Sequence, residues 1–293
     1  MSECGWCGAE ISGRVERRLH RVRCSACGAW SADPVPDEGT LARAYDEWYR
    51  PASGRFAGFG DALFGRLRGR LAGRLDRIAP PGPILDVGAG DGALLDALHV
   101  RGRTAAGIER RSAHPAVEAE RIDRLSGPWA GVVFWHSLEH LPGAGESLDV
   151  ACGRLEPGGV LVIAMPNPAS LQATVFGDSW FALDYPRHLV HVPAPVLLAR
   201  LRAQGLAVER FSYLRGGQVV FGWLYGLVAS LPGRLDLYDA IRRPAARRRP
   251  LSRAGRVAAI VAATILLPVA ILAALLEAAL RRGGTVYVEA RRV

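Results

Sequence analysis

Through its first two thirds the chain alternates short apolar runs with charged or glycine positions. Leu63, Leu67, Leu71, Leu75 and Ile78 recur at i+4 and i+3 spacing, which predicts a helix with one apolar face. Arg66, Arg70, Arg74 and Arg77 recur beside that face, while Gly65, Gly69 and Gly73 weaken it as an independent helix. Packing on a sheet is the plain expectation for such a face, and lying along a membrane surface is the sharper one. Next, Ile84, Leu85, Asp86 and Val87 form a short strand that runs into Gly88, Gly90 and Gly92. A second apolar segment, residues 104–108, ends on Glu109. Strand, tight turn and helix in succession predict an α/β protein with a parallel sheet.

Toward the C-terminus the pattern loses its alternation. Residues 218–231 are apolar and aromatic, and residues 257–276 are 20 positions without a charge. The longer run is enough to cross a hydrocarbon core of about 30 Å. The shorter one reaches only about 21 Å as a helix. Between them, residues 233–256 hold eight Arg and two Asp, net +6.

The glycine turn is the candidate for chemistry. Three glycines at alternate positions let the backbone take positive φ and let a ligand approach without a Cβ in the way. Gly88, Gly90 and Ala93 also satisfy the dinucleotide pattern G-x-G-x-x-G/A, so a nicotinamide or flavin oxidoreductase has to be weighed. Asp86 speaks against it, because a carboxylate two residues before the first glycine would face a pyrophosphate. Glu109 lies 19 residues beyond Gly90, where an acid holds ribose hydroxyls. A ligand with a ribose and a cationic amino-acid end suits both acids, and S-adenosylmethionine is one.

On these residues, and on motifs further along, the sequence resembles the class I S-adenosylmethionine-dependent methyltransferases, in particular a bacterial small-molecule subgroup. Residues 131–141, with the Leu138-Glu139-His140 continuation, resemble the family's fourth strand and its exit. Residues 155–163 resemble its fifth strand. Residues 166–168, 176–181 and 184–189 resemble the subgroup. The resemblance implies a Rossmann-like seven-stranded methyltransferase sheet. It implies cofactor contacts from Asp86, Gly88, Gly90, Gly92, Glu109 and His136, with Glu120 or Asp123 for the adenine. The acid, base and nucleophile candidates behind strands four and five are His136, Glu139, His140, Asp184, His188 and His191, of which His140 and His188 are the chosen catalytic pair. Trp180, Tyr185 and Arg187 are the expected acceptor contacts. Two departures stand out. The stretch from Glu109 to Val117 is too short for the usual crossover helix and reads as a turn around His114-Pro115. Trp129-Ala130 replaces the aromatic–Asp pair that often opens strand four.

Composition adds three things. At 293 residues one α/β domain with additions is expected. All 37 basic residues are Arg, and the net charge is +9. Cys4, Cys7, Cys24 and Cys27 form two C-x-x-C-G knuckles 16 residues apart, the spacing of a closed four-thiolate structural zinc site. Residues between them should form a hairpin, and Cys152 reads as a buried core thiol. The N-terminus lacks a signal-peptide pattern, so a cytoplasmic location without disulfides is expected. The domain reading is a zinc ribbon at 1–36, a methyltransferase core at 37–215, an apolar, Arg-rich insertion at 216–283 and the last core strand at 284–293. Residues 33–37 read as a linker, and the segment from Tyr45 through Glu47, Trp48 and Tyr49 as a lid or helix near the cofactor.

The resemblance makes residues 206–213 strand six and 285–290 strand seven, paired antiparallel. A single membrane crossing between them would put partner strands on opposite sides, and a double one would export the Arg-rich loop. The expected solution is a monotopic hairpin, both apolar pieces entering or lying in one leaflet and the Arg loop meeting anionic headgroups; true double spanning, and a soluble form with the apolar helices packed on the domain or on a second subunit, are the alternatives. Function is then expected to be methyl transfer to a small or lipid-linked acceptor (a sugar, polyprenyl-linked saccharide or quinone-like ring) at the inner membrane face. An RNA base methyltransferase and a non-catalytic scaffold are the alternatives, nucleic acid being the less favoured partner.

Overall fold

A computed structural model describes residues 2–12, 16–46, 54, 56, 60–110, 112, 114–119, 122–124, 126–214, 217–233 and 235–293. Glu47, Trp48, Tyr49 and Glu120, all singled out above, lie outside the described residues.

The N-terminal segment builds two small sheets. β1 (Ser2–Glu3) pairs with β2 (Glu10–Ile11), while β3 (Arg17–Arg18), β4 (Arg21–Arg23) and β5 (Trp30–Ala32) run antiparallel. α1 (Glu38–Ala44) comes next, capped by the Asp37 carboxylate, which accepts from Thr40 N at 2.6 Å. α2 (Gly60–Ile78) is the helix expected from the leucine spacing, but only its second half is embedded. Leu71 and Leu75 are buried, whereas Leu63 is 54% exposed, so the predicted apolar face is covered only where it reaches the sheet.

The main sheet contains β6 (Ile84–Val87), β7 (Ala105–Ile108), β8 (Val117–Ala119), β9 (Trp129–Trp135), β10 (Leu155–Pro166), β12 (Leu206–Ser212) and β13 (Thr285–Arg292). Their order is β12-β13-β10-β9-β6-β7-β8, and β13 runs antiparallel to both neighbours. Side-chain alternation splits the core into two layers. Ile84, Val133, Val160, Val162 and Tyr287 face α2 and α3 (Ala93–His99). Leu85, Val132, Phe134, Leu161, Ile163 and Val288 face the opposite layer with α4 (Ala144–Gly153) and α6 (Ala194–Ala203). Cys4, Trp6 and Val22 belong to that second layer, so the N-terminal unit shares the core rather than standing apart. The short β11 (Val190–His191) makes the join explicit: it pairs with β5, Val190 opposite Ser31 and His191 opposite Trp30.

Further helices complete the chain's C-terminal half. α5 (Leu171–Phe176) comes after β10, and α7 (Gln218–Ala229), α8 (Leu237–Ile241) and α9 (Arg253–Ala279) fill the connection from β12 to β13. The expectation that both apolar pieces offer themselves to a leaflet needs correction. α7 packs against α9 and α5, burying Val219, Trp223 and Val228. α9 buries a narrow alanine stripe, Ala259, Ala263, Ala270 and Ala274, and leaves Ile265 70% and Leu272 67% exposed. By length and composition α9 is able to cross a membrane, and it continues through Pro268. The Arg-rich loop is likewise more internal than expected. Arg242 is fully buried, Arg248 pairs with Asp236 at 3.5 Å, Arg243 pairs with Asp61 at 3.3 Å, and Arg256 donates to Ala240 O at 3.0 Å. These contacts hold four of the eight arginines against protein groups, but only Asp61 is an acid from outside the loop, so most of the net charge of +6 remains.

Candidate functional site

β6 sits where the sheet order reverses, with β9 on one side and β7 on the other, so the loop leaving its carboxyl end opens into the crevice of the fold. In that loop Gly88, Gly90 and Gly92 take φ of +85°, +65° and +81°. A Cβ on Gly88 would stand 2.3 Å from that of Ser137, and one on Gly92 would stand 2.2 Å from the His114 ring. Gly88 N and Ala89 N both donate to Ile108 O, at 2.8 and 2.9 Å, folding the turn against the end of β7. Glu109 at that end accepts from Gly90 N and from Arg110 N, each at 2.9 Å. Asp86 is 3% exposed within β6. Two carboxylates thus flank a stretch of bare backbone, a cradle a side chain would fill, and these residues fit an adenosyl ligand with a cationic end. The link to β8 is a turn, as its length implied: Ser112 Oγ donates to Gly90 O at 2.8 Å, and Val117 N to His114 O at 3.0 Å. Asp123 is exposed in a short 3-10 turn, its carbonyl accepting from Arg154 at 3.1 Å.

Beyond the turn, the chain leaving β9 builds a group of acids and imidazoles. His136 takes φ +53°, and its Nδ1 stands 3.5 Å from Glu139 Oε1, an ion-pair distance rather than a formed hydrogen bond. Glu139 is 1% exposed, and its carboxylate oxygens have no hydrogen-bond partner among the described residues. Burial alone would raise its pKa, but the surrounding His136, His188 and His140 hold it at about 2. His188 Nε2 lies 4.0 Å from Glu139 Oε1 and 3.7 Å from Asp184 Oδ2. Donor atoms of Glu139, His140 and His188 all lie within 4.8 Å of one another.

Backbone carbonyls set the rings. His188 Nδ1 and His191 Nε2 meet Ala182 O at 2.8 and 3.0 Å; a carbonyl only accepts, so both nitrogens carry protons. His188 Nε2 therefore faces the two carboxylates. His140 Nδ1 lies 3.0 Å from Arg187 O and 2.8 Å from the Tyr45 hydroxyl. Burial, then the neighbouring His188 charge, push His140 down to about 4; the same two causes push His191 down to about 3. Asp184, in a left-handed conformation with φ +35°, is held below the usual carboxylate range because Arg187 and His188 more than offset its burial.

A cavity of about 250 Å³ adjoins this group. Asp184, Tyr185, Arg187 and Trp180 line it from one side, Leu19 and His20 from the N-terminal hairpin, and Tyr225, Tyr238 and Arg248 from the insertion. All three expected acceptor residues therefore meet at one cavity, but in different roles. Tyr185 stacks on His20 at 4.2 Å and donates to Pro34 O at 3.1 Å. Trp180 is 2% exposed, tilted against His191. Arg187 spends its fork on Asp184, at 2.5 and 3.0 Å, so its charge is already neutralised and it positions Asp184 rather than waiting for an anion. Sequence reasoning missed the Tyr45–His140 contact as such and the contributions of His20, Tyr225, Tyr238 and Arg248. No spacing signals them, because each arrives from a different part of the chain.

The four N-terminal cysteines also converge. Cys4 and Cys27 sulfurs are 3.7 Å apart, as are those of Cys7 and Cys24. A tetrahedron with Zn–S of about 2.3 Å has edges of about 3.8 Å, so the spacing fits that ion. Each knuckle repeats one backbone pattern: Cys4 N to Ala9 O and Gly8 N to Cys4 O, then Cys24 N to Ala29 O and Gly28 N to Cys24 O. Gly8 and Gly28 take φ of +74° and +79° to close it. Cys152 is buried, and burial pushes its thiol up to about 12.

A mostly parallel sheet with an antiparallel penultimate strand, and a glycine bend between two acids at its switch point, define a class I S-adenosylmethionine-dependent methyltransferase. Residues 60–210 match the family model described as methyltransferase domain, and the chain belongs to that family. Over 170 residues it is 26% identical to a ubiquinone biosynthesis O-methyltransferase of Caulobacter vibrioides, covering 49% of this chain and 67% of that protein. Solved structures similar to it include the [4+2]-cyclase SpnF (19% identity, 88% of this chain, 97% of that one, TM-score 0.47). Another is a SAM-dependent methyltransferase from Archaeoglobus fulgidus (17% identity, 79% of this chain, 99% of that one, TM-score 0.43).

Proposed function

We propose that this enzyme methylates a small or lipid-linked acceptor held in the 250 Å³ cavity, at the inner face of the cell membrane. The cavity is below the roughly 300–1,000 Å³ of drug-sized sites, which suits a single sugar or quinone-like ring with any longer tail outside. The observation that carries the reading is the adjacency of this cavity, through Asp184, to His188 and Glu139. A relative that is a ubiquinone O-methyltransferase supports a small-molecule acceptor. The exposed apolar side of α9 supports the membrane surface.

When bound, S-adenosylmethionine supplies an electrophilic methyl carbon. Asp86, Glu109 and the backbone of Gly88, Gly90 and Gly92 hold the cofactor, His136 closing the same end of β9. His188 Nε2 takes the acceptor proton, and the Glu139 and Asp184 carboxylates stabilise the imidazolium that forms. His140, fixed by Arg187 O and Tyr45, positions His188, its ring centroid 4.6 Å away. Arg187 keeps Asp184 in place. Cys4, Cys7, Cys24 and Cys27 hold a structural zinc that anchors the hairpin carrying Leu19 and His20.

The test is transfer of labelled methyl from S-adenosylmethionine in the presence of host membranes. Label in a lipid-extractable product is expected. Label confined to RNA would favour the RNA base methyltransferase and remove the proposal. His188→Gln should lower kcat by roughly 10²–10⁴-fold while leaving cofactor affinity unchanged.

A further inference from the structure

We infer that the outward face of α2 is a docking surface for the anionic headgroups of a membrane. Arg66, Arg70, Arg74 and Arg77 of α2, with Arg101 and Arg210, line an open trough of about 650 Å³ floored by Gly69 and Gly73. Arg66, Arg70 and Arg77 fall within about 40° of one another around the helix. None of those three makes an ion pair among the described residues, whereas Arg74 is neutralised by Glu289 at 2.5 Å. The lining has no acid among the described residues. Packing does not demand Gly69, where a Cβ would meet nothing within 4 Å, whereas one on Gly73 would stand 3.1 Å from the Arg101 guanidinium. Each costs the helix about 1 kcal/mol relative to Ala. Their absence of side chains leaves room for phosphate-bearing groups between the guanidinia. Arg101 already lies over this floor, donating to Gly69 O at 3.3 Å.

A lipid surface fits better than a nucleic acid. The trough is open rather than enclosed, and Leu63, 54% exposed, lies on the preceding turn of α2. The N-terminal end of α2 is tied to the insertion: Arg243 donates to Phe56 O at 2.9 Å and pairs with Asp61 at 3.3 Å, and the Phe56 ring meets Tyr238 at 6.5 Å. The inference rests on the membrane-surface reading above and names the element that reads lipid charge.

The experiment is flotation of the full-length, zinc-loaded protein with phosphatidylcholine vesicles and with mixed phosphatidylcholine–phosphatidylglycerol vesicles. Two variants accompany it: R66Q/R70Q/R77Q on α2, and I265S/L272S on α9. Wild type should prefer the anionic vesicles. The α2 variant should lose roughly a hundredfold of that preference, three charges at about 1 kcal/mol each, and keep its cofactor affinity. The α9 variant should lose binding to neutral vesicles and keep the anionic preference. An α2 variant with undiminished preference overturns the inference and leaves membrane association standing. Wild type that binds neither vesicle overturns both readings. Inorganic phosphate that displaces the protein well beyond the effect of equal ionic strength would assign the trough to a free phosphate ligand. RNA binding lost in the α2 variant, with vesicle binding unchanged, would assign it to nucleic acid.

Discussion

At the scale of single residues, the site depends on conformations and charges that few side chains tolerate. Gly88 combines φ +85° with a Cβ position 2.3 Å from Ser137, so Gly88→Ala meets both strain and collision. The left-handed penalty alone is about 1–2 kcal/mol, so cofactor affinity by calorimetry should fall roughly tenfold or more. The buried imidazoles set a pH dependence with a definite sign. His140 and His191 titrate at about 4 and about 3 when folded and near 6.5 when unfolded. Between those values the unfolded chain binds more protons, so their contribution is present above pH 6.5 and is lost as pH falls through 4 and 3. Glu139, at about 2 when folded, adds a loss that starts below its ordinary value of about 4.5. The urea midpoint should therefore drop steadily from pH 7 to pH 4. His191→Gln, which keeps a donor toward Ala182 O and cannot titrate, should flatten that slope; an unchanged slope would contradict the assignment.

At the scale of elements, close backbone contacts fix how the pieces meet. Gly145, in the first turn of α4, approaches the ribbon so closely that a Cβ would stand within van der Waals radius of Trp6 O, and Gly145 N donates to Gly5 O at 3.2 Å. Arg200 reinforces this joint by covering the Trp6 ring at 4.9 Å and pairing with Asp149 at 2.6 Å. Gly145→Val should free the ribbon from the core and expose Trp6, seen as a shift in tryptophan emission and as faster proteolysis before β6. Most elements were legible in sequence because period and punctuation carry them: leucine spacing gave α2, the glycine run gave the turn after β6, and a shortened link gave the turn at His114. Two were not. The burial of α7 against α9 and the pairing of Arg243 with Asp61 depend on partners far along the chain. Apolarity alone does not say whether lipid or protein covers a helix, nor does charge say which acid will meet it.

At the scale of the whole molecule, ribbon, core and insertion act as one structure around the cavity. The ribbon shares a core layer with the main sheet and contributes β5 to β11. If zinc is held by the four cysteines, a strong chelator should lower the melting temperature of the entire chain in a single transition rather than release a separate ribbon. It should also open the cavity by loosening His20 from Tyr185, so acceptor KM should rise more than cofactor Kd. A separate low-temperature transition would show that the shared core does not couple them.

Local pattern settled the strand that ends in a glycine bend, the acids on either side of it, and the paired cysteine knuckles. Each is a short-range device in which backbone conformation and chemistry are set by neighbours in the chain. Tertiary structure decided what distant segments do to one another: that His188 turns Nε2 toward Glu139, that Arg187 is spent on Asp184, and that α9 rather than α7 keeps its apolar side outward. Those outcomes come from burial and from the competition for partners, and such competition is resolved only when the whole chain is packed.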